Sequence, residues 1–122
     1  MARLWFITGA GFGLIGVALS AIAAHASLVI DTPAMHEAMR AAATLILAHA
    51  GALIAIATWQ RAAPNPKIDA ATAMIAAGVV IFTFAIAIHA FAGLKIPGMA
   101  PIGGSLTMLG WFTLAIAGAL AP

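Results

Sequence analysis

Long apolar stretches separated by short polar breaks set the pattern of this chain. Charged residues are absent from 4–30, 41–60, 70–94 and 96–122. Each gap matches or exceeds the roughly 20 helical residues that cross a hydrocarbon core about 30 Å thick. The pattern predicts four membrane-spanning helices, at about 4–26, 38–60, 69–93 and 101–120. The breaks carry turn chemistry: Leu28 to Thr32 is closed by Pro33, Pro64 and Pro66 interrupt a segment with basic flanks at Arg61 and Lys67, and Pro97-Gly98 precedes the last helix. Asp69 is placed to cap the third helix. The expectation is an all-α integral membrane four-helix bundle, one domain over 1–122, with antiparallel up-down topology.

Composition reinforces that picture. Only 7% of the residues are charged and 65% are hydrophobic, whereas a soluble domain carries about 25% charged residues to solvate its surface. The exterior must therefore face the lipid bilayer or other subunits. There is no cysteine, which excludes disulfides, thiolate metal sites, covalently attached haem and cysteine nucleophiles. The net charge of +2 rests on five scattered basic residues, with no cluster to track a phosphate backbone, so no nucleic acid partner is expected. Arg3, Arg61 and Lys67 lie on the side of the termini and Arg40 and Lys95 on the other. That excess favours both termini in the cytoplasm, and the expected location is a bacterial inner (cytoplasmic) membrane.

The triplet Ala24-His25-Ala26 has the small-x-small form of a signal-peptidase site. The uncharged run before it is about twice the 7–15 residues of a signal core, and three further spans follow. The expectation is a permanent span with His25 at its far end.

Helix packing is the first reading of the small residues. Gly9, Gly13, Gly16 and Ser20 share one face of the first helix, Gly78 lies on a face of the third with Phe82, Ala85 and His89, and Gly103, Thr107 and Gly110 share a face of the fourth beside Gly104. Trp111, near the middle of the fourth helix, is expected to fill a packing position in the bundle or against a neighbour. Gly11, Gly13 and Gly16 form a G-x-G-x-x-G with Asp31 twenty residues after Gly11. A dinucleotide fold would need a strand before that motif and a sheet after it, and an apolar span supplies neither.

Four histidines carry the remaining chemistry. His36 lies beside Glu37 and Arg40 at the start of the second helix and reads as an interfacial side chain, with Glu37 and Arg40 as interfacial charges near Asp31. His49 is nine residues beyond Arg40, roughly 13 Å deeper, and is the best-buried ionisable group that the pattern predicts. Charge is costly at that depth, so it should be neutral and bonded to Thr44, Ser105, Thr107 or a backbone carbonyl. His25 and His89 lie at the ends of their helices on the side away from the termini. Interhelical bonding is the plain role for His25, His49 and His89; axial ligation of haem b, contact with a quinone headgroup or a proton path are the sharper ones, with His25 and His89 as the haem pair. No cofactor and no metal site are required by the pattern, and no nucleophile elbow or buried acid accompanies the histidines, so enzymatic activity is not expected.

Three stretches in order, Ala23-Ala24-His25-Ala26, Ala48-His49-Ala50-Gly51-Ala52-Leu53, and Pro101-Ile102-Gly103-Gly104 followed by Gly110-Trp111, resemble the small YgdD/YwdK-like membrane proteins, domain-of-unknown-function family 423. Eukaryotic relatives in that family are small mitochondrial membrane proteins. The resemblance covers nearly the whole chain and implies four helices without an established activity. The chain departs from it at Phe84 to His89, where a serine-containing stretch ending in tyrosine would stand. The reading that follows is an accessory or assembly subunit packing against other membrane-protein subunits of a respiratory-type complex, or against copies of itself. The alternative is a redox module holding haem or quinone.

Overall fold

The computed structural model describes residues 1–120. It has four helices: α1 (Ala2–His25), α2 (Pro33–Ala62), α3 (Pro66–Ala92) and α4 (Met99–Ala119). All four are long and apolar enough to cross a membrane, and the chain is a multi-pass, all-α membrane protein that sits in a lipid bilayer.

Local chemistry sets the helix starts. α2 begins about five residues before the boundary read from the sequence, because the Thr32 side chain accepts from the Met35 amide at 3.2 Å and Pro33 supplies the first helical residue. α3 starts in the same way. Asn65 is its cap, accepting from the Lys67 amide at 2.9 Å, with Pro66 following. Asp69, the cap expected from the sequence, instead lies one turn inside and is left to bond elsewhere. Gly93, at φ 68°, ends α3 in the left-handed conformation open to glycine and returns its amide to the His89 carbonyl at 3.0 Å.

The tightest pairings are α1 on α2 and α3 on α4, and the two hairpins meet through α2 and α3. The inner helices α2 and α3 each bury 44% of their most apolar stretch, against 28% for α1 and 22% for α4. Close packing in lipid depends on small residues. A methyl group at Gly9 would lie 2.9 Å from the Ala50 carbonyl oxygen, and one at Gly103 would lie 2.5 Å from the Phe82 amide nitrogen. Gly16 is pressed against Leu47, Gly78 against Gly103 and Thr107, and Gly110 against Ile75. Gly13 and Gly104 meet only ordinary contacts, and Ser20 is half-buried.

At 1.5 Å per residue, α2 is about 45 Å long and exceeds the hydrocarbon thickness. Its first turns, Pro33 to Arg40, lie outside the charge-free segment 41–60 that spans the core. The ends of the bundle are fastened differently. On the side of the termini, the Trp5 indole donates to Asp69 at 2.6 Å, tying α1 to α3. The Gln60 amide exchanges two 2.9 Å bonds with the backbone of Asn65, closing the turn between α2 and α3. Arg61 lies 5.5 Å over the Phe6 ring.

Candidate functional site

His49 is 8% exposed, in the middle of α2. Its Nδ1 lies 2.7 Å from the Leu45 carbonyl oxygen one turn back, and its Nε2 lies 3.0 Å from the indole Nε1 of Trp111 on α4. A carbonyl only accepts and an indole N–H only donates. Nδ1 therefore carries the proton, Nε2 offers its lone pair, and the ring is neutral with both nitrogens engaged. The two rings lie 5.9 Å apart and are tilted by 58°. The backbone carbonyl was among the partners expected for His49; Trp111 was not. The sequence signal for it was a tryptophan at mid-helix, away from either interface. Trp111 is 42% exposed, so it packs on the bundle with one edge and faces outward with the other.

His36 sits in the first turns of α2, outside the charge-free segment. Its Nδ1 is 2.9 Å from the Ala23 carbonyl oxygen, and its Nε2 is 2.7 Å from Asp31 Oδ1. Both partners are acceptors, so both nitrogens must donate and the ring is an imidazolium. The bond to Asp31, then the bond to Ala23, raise its pKa above the ordinary 6.5. Ala23 O belongs to the last turn of α1, whose carbonyls lack helical partners and carry the negative end of the helix dipole. His36 thus clamps the end of α1 onto the start of α2. The sequence marked it as interfacial and missed the clamp; Asp31, five residues earlier across a turn, was the available signal. With Asp31 taken, Arg40 pairs with Glu37 alone, at 3.2 Å and exposed to solvent.

His25 and His89 occupy separate surroundings. His25 is exposed at the last residue of α1. The segment after it packs on the end of α3, where the Val29 amide donates to the Ala90 carbonyl at 2.9 Å. His89 is half-buried and lines a cavity of ≈ 270 Å³ with Met35 and Ala38 of α2, Ala85 and Ile86 of α3, Lys95 of the connecting loop and Pro101 of α4. His25 is not part of that lining.

Thr83 differs from the other threonines buried in the helices. Thr72 and Thr107 donate to the carbonyl one turn back, at 2.6 and 3.0 Å. Among the described residues, the Thr83 hydroxyl is the buried side-chain polar atom without a hydrogen-bond partner. It lies beside an apolar groove between α1 and α3 lined by Phe12, Leu19, Val80 and Phe84. Among the described residues, no group of three histidines, cysteines or carboxylates is placed to hold a metal ion.

No curated protein and no solved structure matches the chain. A family model described as "Protein of unknown function (DUF423)" matches residues 19–104. That span takes in the end of α1, all of α2 and α3, the start of α4 and all four histidines, but not Trp5 or Trp111. Since the match covers well over half of its length, the chain belongs to the DUF423 family.

Proposed function

We propose that this chain is a non-enzymatic protein of the bacterial inner membrane, with both termini in the cytoplasm, that serves as an accessory or assembly subunit packed against a larger energy-converting complex. The observation that carries this reading is the engagement of both His49 nitrogens by the protein itself. The ionisable group at mid-span then acts as a fastening between α2 and α4. Trp5 with Asp69 and His36 with Ala23 are further polar contacts between helices. The outer helices turn large apolar side chains outward, among them Leu14 and Val17 of α1 and Met108 and Phe112 of α4. That surface suits lipid or a neighbouring membrane helix. Orientation rests on the three basic residues beside the termini against two on the other side. Membranes extracted in mild detergent and run on a native gel test the proposal. The chain is expected to migrate with subunits of a respiratory-type complex; migration as a lone 12.3 kDa chain counts against it.

A redox module is the second reading, and the cavity beside His89 is what favours it. A Soret band, or a quinone in the organic extract, that is lost on His89→Ala would support this reading, and a colourless, quinone-free preparation would refute it.

A further inference from the structure

We propose that the half-open cleft bounded by His89 and Lys95 binds a bilayer phospholipid whose headgroup carries net negative charge, the phosphate lying against Lys95 and His89 and the start of one acyl chain entering between α2 and α3. The cleft joins two chemistries. Its inner walls are apolar, made by Met35, Ala38, Ala85 and Ile86, and its titratable side chains are His89 and Lys95. No carboxylate lines it.

The three Asp and Glu side chains of the sequence are all engaged elsewhere. Asp31 is held by His36, Glu37 by Arg40, and Asp69 by Trp5. Among the described residues, no ion pair neutralises Lys95 and no hydrogen bond engages the ring of His89. The cleft therefore offers uncompensated positive charge to its occupant.

Depth points the same way. Lys95 ends the charge-free run 70–94 and so stands at the boundary of the hydrocarbon. From His89 to Ala85 the wall descends roughly 6 Å along α3, enough for the first methylenes of an acyl chain. A headgroup anion with an attached chain meets both parts of the cleft at once. Free phosphate would leave the apolar wall uncovered, and a zwitterionic lipid would bring a headgroup cation against Lys95 along with its phosphate. A quinone fills the apolar part but has no anion for Lys95.

Native mass spectrometry of the full chain in a neutral detergent tests the site, with phosphatidylglycerol, phosphatidylcholine of the same acyl chains, and glycerol phosphate as probes. Phosphatidylglycerol is expected to be retained in preference to phosphatidylcholine. Lys95→Gln should weaken that retention about fivefold, the scale of one basic residue beside an anionic lipid surface. His89→Gln should weaken it less, and Arg3→Gln, at the other end of the bundle, should leave it unchanged. Lys95 is exposed, so its variant should melt as the parent does. Equal retention of the two lipids, an unchanged Lys95→Gln, an equal loss in Arg3→Gln, or displacement by glycerol phosphate as effective as by the lipid would each overturn the proposal. So would a quinone that displaces phosphatidylglycerol completely.

Discussion

His36 and His49 lie 13 residues apart on one helix, and each makes two short hydrogen bonds, yet they hold opposite charge states. His36 faces a carbonyl and a carboxylate, both acceptors, and so carries both protons. His49 faces a carbonyl and an indole N–H, one acceptor and one donor, and so carries one. Position along α2 explains the difference. His36 precedes the charge-free segment, where water and headgroups tolerate an imidazolium. At mid-span an unpaired charge is costly, and the fold has set a donor opposite Nε2 where a carboxylate would otherwise be needed. A histidine's role in this bundle follows from whether its partners accept or donate.

Exchanging the charges should break the comparison most forcefully. His49→Lys places a fixed cation among apolar side chains and removes the acceptor for Trp111, and should cost about 3 kcal/mol or more. His36→Lys keeps a cation beside Asp31 at the rim and should largely retain the fold. Melting in detergent and the monodisperse yield after extraction report both; a His49→Lys protein that melts like the parent would refute the neutral, buried assignment.

Trp111→Phe is the next test. It keeps most of the ring but leaves Nε2 of His49 without its donor, at a cost of about 1–3 kcal/mol. In a His49→Leu background there is no acceptor left to orphan, so the same substitution should cost markedly less. A double-mutant cycle with no coupling would mean that the two rings merely lie near each other.

Thr83 extends the comparison to a buried polar group with no hydrogen-bond partner among the described residues. Thr83→Val removes a hydroxyl whose burial is uncompensated, and should raise stability by up to about 1 kcal/mol. Thr72→Val, which deletes a satisfied hydroxyl, should not. A loss of stability in Thr83→Val would show that this hydroxyl has a partner in the membrane.

The four spans were legible because hydrocarbon thickness sets a minimum length for each charge-free run, and a run of that length is visible in one dimension. The start of α2 was misplaced because its cap, Thr32 with Pro33, follows the apolar residues Leu28 to Ile30, which read as part of the break. Asp69 has the chemistry of a cap, but Asn65-Pro66 lies earlier and is joined to Gln60 by its backbone. The depth of His49 could be counted from Arg40; its partner could not, because Trp111 is 62 residues away and only the packing of α4 brings it near. His25 and His89 share an end of the bundle in sequence terms, but the segment after His25 folds over the end of α3 while the His89 cavity is shared by α2, α3 and the start of α4.

The smallest expected effect separates the two histidines by pH. The folded-state pKa of His36 lies above its ordinary value of 6.5, so its clamp contributes fully at pH values below about 6.5 and loses that contribution as pH rises through the folded value. Once neutral, the ring has one proton for two acceptors, and either Ala23 or Asp31 goes unserved. The melting temperature in detergent should therefore fall modestly as pH rises above about 6.5, by little because the pair is partly exposed and screened. In Asp31→Asn the slope should flatten, since the stronger of the two bonds to the imidazolium is gone. Trp111→Phe should lower the whole curve without changing that slope, because it removes a bond to His49 and leaves both partners of His36 in place. A slope that persists in Asp31→Asn and disappears in Trp111→Phe would reverse the assignment of the two charge states.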